Sequence, residues 1–288
     1  MRPRERSVEV ADAKLLLHEW EADGPPILFW HALGDHSSLQ MIEAAPVLAR
    51  FFGYRVIGVD APGFGGSGRL PDEAYRMPAL VDLAGELVDA LEVDRPVWSG
   101  SSWGATIGVH FAAAQAERLS ALVLLDGGYL HTTEGKSLDE LKEHWRGQEG
   151  FRYASWDVLF AEAGEYFGRW SPELEEYARA SFREEDGAVV SIMGSDVYAA
   201  AIHGVEQAPP WSSLEEIGKS GLPVLLLAAE KVPADLEERR AAGLERFGQL
   251  VRQADVRVVP GAPHFVLESR PGEAARMMGG WLQALPYA

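Results

Sequence analysis

Apolar positions along the chain follow two alternating patterns. Short unbroken runs read as strands buried on both faces: Pro26-Ile27-Leu28-Phe29-Trp30, Arg55-Val56-Ile57-Gly58-Val59, Leu122-Val123-Leu124-Leu125 and Pro223-Val224-Leu225-Leu226-Leu227. Residues 96–99 and 256–259 add two more strands. Residues 8–10 and 15–20 precede them as a hairpin around Ala11-Asp12-Ala13. Between these runs the apolar positions take helical spacing. A helix capped by Ser37 is predicted to run to about residue 52. A second covers 78–91, with Leu80, Leu83, Leu87 and Leu91 close to one stripe. From Trp103, the small residues Gly104, Ala105 and Gly108 allow a helix to pack close to a sheet. Further helices are expected over 236–253 and 271–285. Strands alternating with helices imply an α/β fold, a mostly parallel sheet with helices on both faces.

The alternation stops from about Tyr129 to Ser220. No buried-strand run occurs there, and charged, helix-like segments carry Trp145, Phe151, Tyr153, Trp156, Phe160, Tyr166, Phe167, Trp170 and Tyr177. The expectation is a helical cap or lid, residues 129–220, inserted into a core made of 1–128 and 221–288. Most of its aromatics would form the cap's own core, while a few would face the site and make an apolar pocket. Trp103, Tyr129 and Trp156 are the candidates for substrate contact.

Composition narrows the picture. With 47% hydrophobic residues in 288, a large core can form. The formal charge of −18 argues against nucleic acid and anionic membrane surfaces as partners. The chain has no cysteine, which excludes disulfides, thiolate nucleophiles and cysteine-based metal sites. Met1-Arg2-Pro3-Arg4-Glu5-Arg6 is charged and is followed by no signal-like apolar stretch, so a cytoplasmic location is the expectation. No H-E-x-x-H or comparable ligand set occurs, so neither a metal nor a cofactor is expected.

The candidate chemistry sits at strand ends, where sites of such sheets form. Gly100-Ser101-Ser102-Trp103-Gly104 spells G-x-S-x-G between a strand and a helix. Such a turn strains the backbone at the serine and leaves room only for small residues two before and two after it. Ser102 is therefore the candidate nucleophile. A serine hydroxyl needs a base, and His264 follows the last strand within turn residues. The other histidines have structural readings: His18 and His110 lie within a strand and a helix, and His131, His144 and His203 fall in the cap. His31 and His36 flank a loop that they would fix. The Gly-rich loop Asp60-Ala61-Pro62-Gly63-Phe64-Gly65-Gly66-Ser67-Gly68 lacks the lysine and helix entry of a phosphate cradle.

These pieces resemble the α/β-hydrolase superfamily over nearly the whole chain. His31-Ala32-Leu33-Gly34 matches its H-G-x-x loop and Asp60 to Ser67 its D-x-x-G-x-G-x-S loop. Gly100 to Gly104 matches the nucleophile elbow, and Gly261-Ala262-Pro263-His264-Phe265 the histidine loop. The resemblance places oxyanion donors at the backbone N–H of Leu33 and Trp103. Ala32 replaces the usual glycine and is a lesser donor candidate. The usual acid position, in Ala229-Glu230-Lys231-Val232-Pro233, is held by Val232. Some members carry the acid one strand earlier, which points to Asp126, with Glu230 and Asp235 as alternatives.

The expected activity is that of a serine hydrolase cleaving a small apolar carboxylic ester or lactone through an acyl-enzyme. Carbon–carbon bond hydrolysis, aminopeptidase, cofactor-free peroxidase and ligand-receptor roles stay open, as does a homodimer.

Overall fold

The computed structural model describes residues 1–34, 36–131, 135–146 and 151–286. Asp35 of the His31 loop and residues 132–134 and 147–150 of the expected cap lie outside the described residues. The strands are β1 (Arg4–Val10), β2 (Ala13–Trp20), β3 (Pro26–Trp30), β4 (Arg55–Val59), β5 (Val97–Ser101) and β6 (Ala121–Leu125), and, after the insertion, β10 (Val224–Ala229) and β11 (Asp255–Val259). They form one eight-stranded sheet in the order β1-β2-β4-β3-β5-β6-β10-β11. The β1–β2 hairpin and the β2–β4 pair are antiparallel; the other pairs are parallel.

Side chains alternate across the sheet, which explains the unbroken apolar runs. Leu28, Trp30, Ile57, Trp98, Leu122 and Leu124 join one core cluster. Ile27, Phe29, Val56, Val97, Val123 and Leu125 join the other. The first is covered by α2 (Met77–Ala90), α3 (Trp103–Ala114), α8 (Trp211–Ser220) and α9 (Glu237–Leu250). The second is covered by α1 (Ala45–Phe52) and α11 (Pro271–Gln283).

Two expectations need correction. The helix expected from Ser37 to residue 52 is split into a 3-10 turn, Ser38–Met41, and α1. Ser37 makes no capping bond. The Asp60 carboxylate accepts from the Ser38 N–H (2.7 Å) and Oγ (2.6 Å), which ties this segment to the neighbouring strand end.

The insertion is also neither purely helical nor bounded at 220. Its helices are α4 (Leu138–Arg146), α5 (Trp156–Phe167), α6 (Pro172–Ser181) and α7 (Gly194–Glu206). A small antiparallel sheet joins them, from β7 (Arg152–Tyr153), β8 (Phe182–Glu185) and β9 (Ala188–Ser191), in the order β7-β9-β8. The β8–β9 turn is Asp186-Gly187, both at positive φ (50° and 73°), which is the hairpin signal that aspartate-glycine gives. At the far end, Leu214 and Ile217 of α8 are fully buried in the same cluster as α3 and the sheet. Residues 211–220 therefore belong to the layer flanking the sheet. Among the described residues, no helix is long and apolar enough to cross a membrane.

Candidate active site

The sharp turn after β5 sets the geometry. Ser102 sits at φ 48°, ψ −103°, outside the relaxed regions for a side-chain-bearing residue. Its N–H donates to the Leu125 carbonyl at 2.9 Å, which pins the turn to β6. A Cβ on Gly100 would lie 2.2 Å from the Gly104 backbone, and one on Gly104 would lie 2.1 Å from the Trp30 carbonyl oxygen. Only glycine fits at either place, as the motif requires.

The structure brings Ser102, His264 and Asp126 together. His264 Nε2 lies 3.0 Å from Ser102 Oγ, and His264 Nδ1 lies 2.8 Å from Asp126 Oδ2. Asp126 is 6% exposed and directly follows β6 at φ 43°. Its second oxygen, Oδ1, accepts from Tyr129 Oη (2.7 Å), Ala229 N–H (3.0 Å) and Arg240 Nη2 (3.2 Å). Burial alone would raise the carboxyl pKa. Hydrogen bonds and charge from His264, with those of Ala229 and Tyr129, outweigh burial and hold it below the usual carboxylate range. Ala229 ends β10, the strand after which the resemblance had placed the usual acid; here it supplies an N–H to Asp126 instead. Glu230 is turned to the outside, where it accepts from Gly261 N–H at 2.8 Å, and Asp235 is exposed.

The His31 loop faces this group from β3. His31 is fully buried, and burial keeps its imidazole neutral by lowering its pKa. Its Nε2 accepts from Ala61 N–H (3.0 Å), so Nδ1 carries the proton and donates to the Ala32 carbonyl at 2.7 Å. That carbonyl shares a planar trans peptide with Leu33 N–H. Holding the oxygen on one side therefore aims the N–H to the other. Ala32 N–H is already spent on Gln40 Oε1 (3.1 Å), which removes Ala32 as a donor. Trp103 N–H opens α3, among the first amides of a helix, which lack partners within it. The Gly-rich loop is held by Asp60, whose Oδ2 accepts from Gly66 N–H at 2.9 Å.

A cavity of about 440 Å³ lies beside this arrangement, lined by fifteen residues including Leu33, Tyr153, Tyr166, Trp170 and Phe265. The Phe265 ring centroid is 5.0 Å from that of His264, so the cavity adjoins the histidine. Among the described residues, the lining carries one carboxylate, Glu162, and no lysine or arginine. A wider hollow of about 840 Å³, near Gly24 and Gln283, has none of these groups in its wall.

The three candidates for substrate contact are placed differently from expectation. The Tyr129 ring is 1% exposed, and its hydroxyl lies between Asp126 and Arg240 (2.9 Å to Nε), behind the acid. The Trp103 ring is 3% exposed and packs against Trp30, His31 and Phe64. Trp156 lies on the outer side of the insertion, where its Nε1 donates to Glu184 (2.7 Å) and Arg179 stacks on its ring. None of the three lines the cavity. The sequence reading missed Arg240 and Tyr129 as partners of the acid and most of the cavity wall. The i, i+4 spacing of Glu162 and Tyr166, continued by Trp170 just past α5, was the available signal for that wall.

A family model for the alpha/beta hydrolase fold matches residues 25–156. The E-2-(acetamidomethylene)succinate hydrolase structure superposes with a TM-score of 0.77 over 98% of this chain and 100% of that one, at 21% identity. The whole chain has the fold of the α/β hydrolases. An esterase from Thermogutta terrifontis shares the fold with a TM-score of 0.74, at 20% identity over 97% of this chain and 98% of that one. In sequence, a haloalkane dehalogenase of Mycolicibacterium paratuberculosis is 26% identical over 93% of this chain and 87% of its own. Several other curated relatives match over only 35% to 45% of their own length. The chain is thus similar to proteins of several chemistries, and the site must distinguish among them.

Proposed function

We propose that the chain hydrolyses a carboxylic ester or lactone through an acyl-enzyme on Ser102. The observation that carries this reading is the continuous line from Ser102 Oγ to His264 Nε2 (3.0 Å) and from His264 Nδ1 to Asp126 Oδ2 (2.8 Å). His264 takes the hydroxyl proton as Ser102 Oγ bonds to the acyl carbon. The carbonyl oxygen becomes an oxyanion that the N–H groups of Leu33 and Trp103 stabilise. His264 then protonates the departing alkoxide as the acyl–oxygen bond breaks. A water, deprotonated by His264, attacks the acyl-enzyme and releases the acid. Asp126 stays ionised throughout and stabilises the imidazolium.

The serine supports this reading over the dehalogenase chemistry of the sequence relative and over epoxide opening, which use an aspartate nucleophile in this fold. The aromatic lining, free of lysine and arginine among the described residues, supports a neutral apolar substrate over a dicarboxylate. The test is turnover of short-chain p-nitrophenyl esters and a lactone by wild type and Ser102→Ala. Ser102-dependent turnover is expected. Equal, slow release of nitrophenol by both proteins would remove the reading.

A further inference from the structure

A second buried carboxylate lies on the oxyanion side of the site and has no part in the steps above. Glu268 belongs to α10 (Val266–Ser269), four positions after His264, and is 1% exposed. Its Oε1 accepts from Gln40 Nε2 at 2.7 Å, and Gln40, itself 3% exposed, accepts Ala32 N–H on its Oε1 at 3.1 Å. The line Glu268–Gln40–Ala32 thus joins the segment that carries His264 to the segment that carries Leu33. Tyr177 of α6 donates to the same Glu268 oxygen at 3.3 Å, bonds the His36 ring, and lines the cavity together with His36.

We propose that Gln40 and Glu268 are positioning residues for the oxyanion loop: they fix the peptide before Ala32 from behind, so that Leu33 N–H keeps its aim. The proposal rests on the acyl-transfer reading of Ser102. Three features carry it. An amide between a carboxylate and an N–H has one orientation only, because Nε2 can only donate and Oε1 can only accept. The Ala32–Leu33 turn is then held at two successive peptides, by Gln40 at the Ala32 N–H and by His31 at the Ala32 carbonyl. A buried carboxyl with one oxygen, Oε2, lacking a hydrogen bond among the described residues is costly, and an apolar pair of the same volume would fill the space with less penalty. The polar pair is accounted for by the direction it imposes on Ala32.

The experiment compares Gln40→Leu, Gln40→Asn, Glu268→Leu and Glu268→Gln in the full chain. It reads kcat, KM and the infrared carbonyl stretch of the acyl-enzyme trapped on Ser102. Losing a donor of this kind outright costs about 10²–10³ in kcat, so misaiming one is expected to cost about ten- to a hundred-fold with KM within about twofold. Gln40→Leu and Glu268→Leu should show that loss and move the carbonyl stretch to higher frequency, because the acyl oxygen receives weaker hydrogen bonds. Gln40→Asn, too short to span both partners, should show the same shift in milder form. This variant reads the effect if the leucine variants do not fold. Glu268→Gln keeps an acceptor for Gln40 and should restore most of kcat. Folded Gln40 variants with wild-type kcat and an unshifted carbonyl would overturn the inference. No Ser102-dependent acyl-enzyme in the wild type would instead overturn the reading beneath it.

Discussion

Two buried carboxylates flank the site and behave in opposite ways. Asp126 and Glu268 are 6% and 1% exposed. Asp126 gives one oxygen to His264 and the other to a tyrosine hydroxyl, an amide N–H and a guanidinium, and its pKa falls. Among the described residues, Glu268 receives an amide and a hydroxyl on one oxygen only, and burial pushes its pKa up to about 7. Arg169 is near, but it reaches the Glu268 backbone carbonyl and the Glu43 carboxylate. Burial is thus shared, and the donor set decides which carboxyl stays charged. The fully satisfied one stands behind the histidine, where a fixed negative charge stabilises the imidazolium. The under-satisfied one stands behind a neutral loop, where only its hydrogen-bonding direction is used.

The comparison breaks most visibly at the acid. Asp126→Asn should lower kcat by about 10⁴, because the amide no longer stabilises the imidazolium. Glu230→Gln should stay within about twofold of wild type in the same steady-state assay, since its carboxylate only meets Gly261 N–H from the outside. The reverse order would move the acid to β10.

Removing the donor instead of the acceptor tests the same point more gently. Arg240→Met leaves Asp126 with three of its four donors, so a loss of about 1–3 kcal/mol in chemical denaturation is expected. Unchanged stability would mean that the guanidinium does nothing for the acid.

Glu268 should show its raised pKa as a pH effect of opposite sign to that of Asp126. The folded state holds the Glu268 proton up to about pH 7, whereas the unfolded chain loses it near 4.5. Its contribution is therefore complete below 4.5 and declines as pH rises toward 7 and beyond, by on the order of 3 kcal/mol. Asp126, with its folded pKa depressed, stabilises above the unfolded value and loses that contribution as pH falls through the folded one. Thermal midpoints of wild type and Glu268→Gln between pH 5 and 8 check this. The wild type should lose stability more steeply, and parallel curves would contradict the assignment.

The smallest effect is expected at Trp156. Its ring stacks with Arg179 outside the cavity, so Trp156→Ala should leave kcat/KM within about twofold. Trp170→Ala, inside it, should raise KM for apolar esters several-fold.

The sheet was legible in the sequence because strands buried on both faces leave unbroken apolar runs, and Pro26–Trp30 was bounded to the residue. The elbow and the His264 loop were legible because strained turns and close backbone approaches restrict residue type. Asp126 stood out only through the vacancy at Val232. What did not show was everything made by long-range contact. Arg240 reaches Asp126 from 114 positions away and Glu268 reaches Gln40 from 228, and no local pattern encodes either. The insertion was misread in part because short two- to four-residue strands leave too little periodicity to separate from helix. Its Asp186-Gly187 turn was nevertheless a readable hairpin signal.

The central claim is that Ser102 becomes acylated under the control of His264. Acid-quenching the enzyme during turnover of a p-nitrophenyl ester and mapping the adduct by mass spectrometry tests it most directly. The account predicts an acyl mass on the peptide containing Ser102, absent in Ser102→Ala and strongly slowed in forming in His264→Ala. An adduct on another residue, or turnover that persists undiminished in Ser102→Ala with no adduct at Ser102, would contradict it.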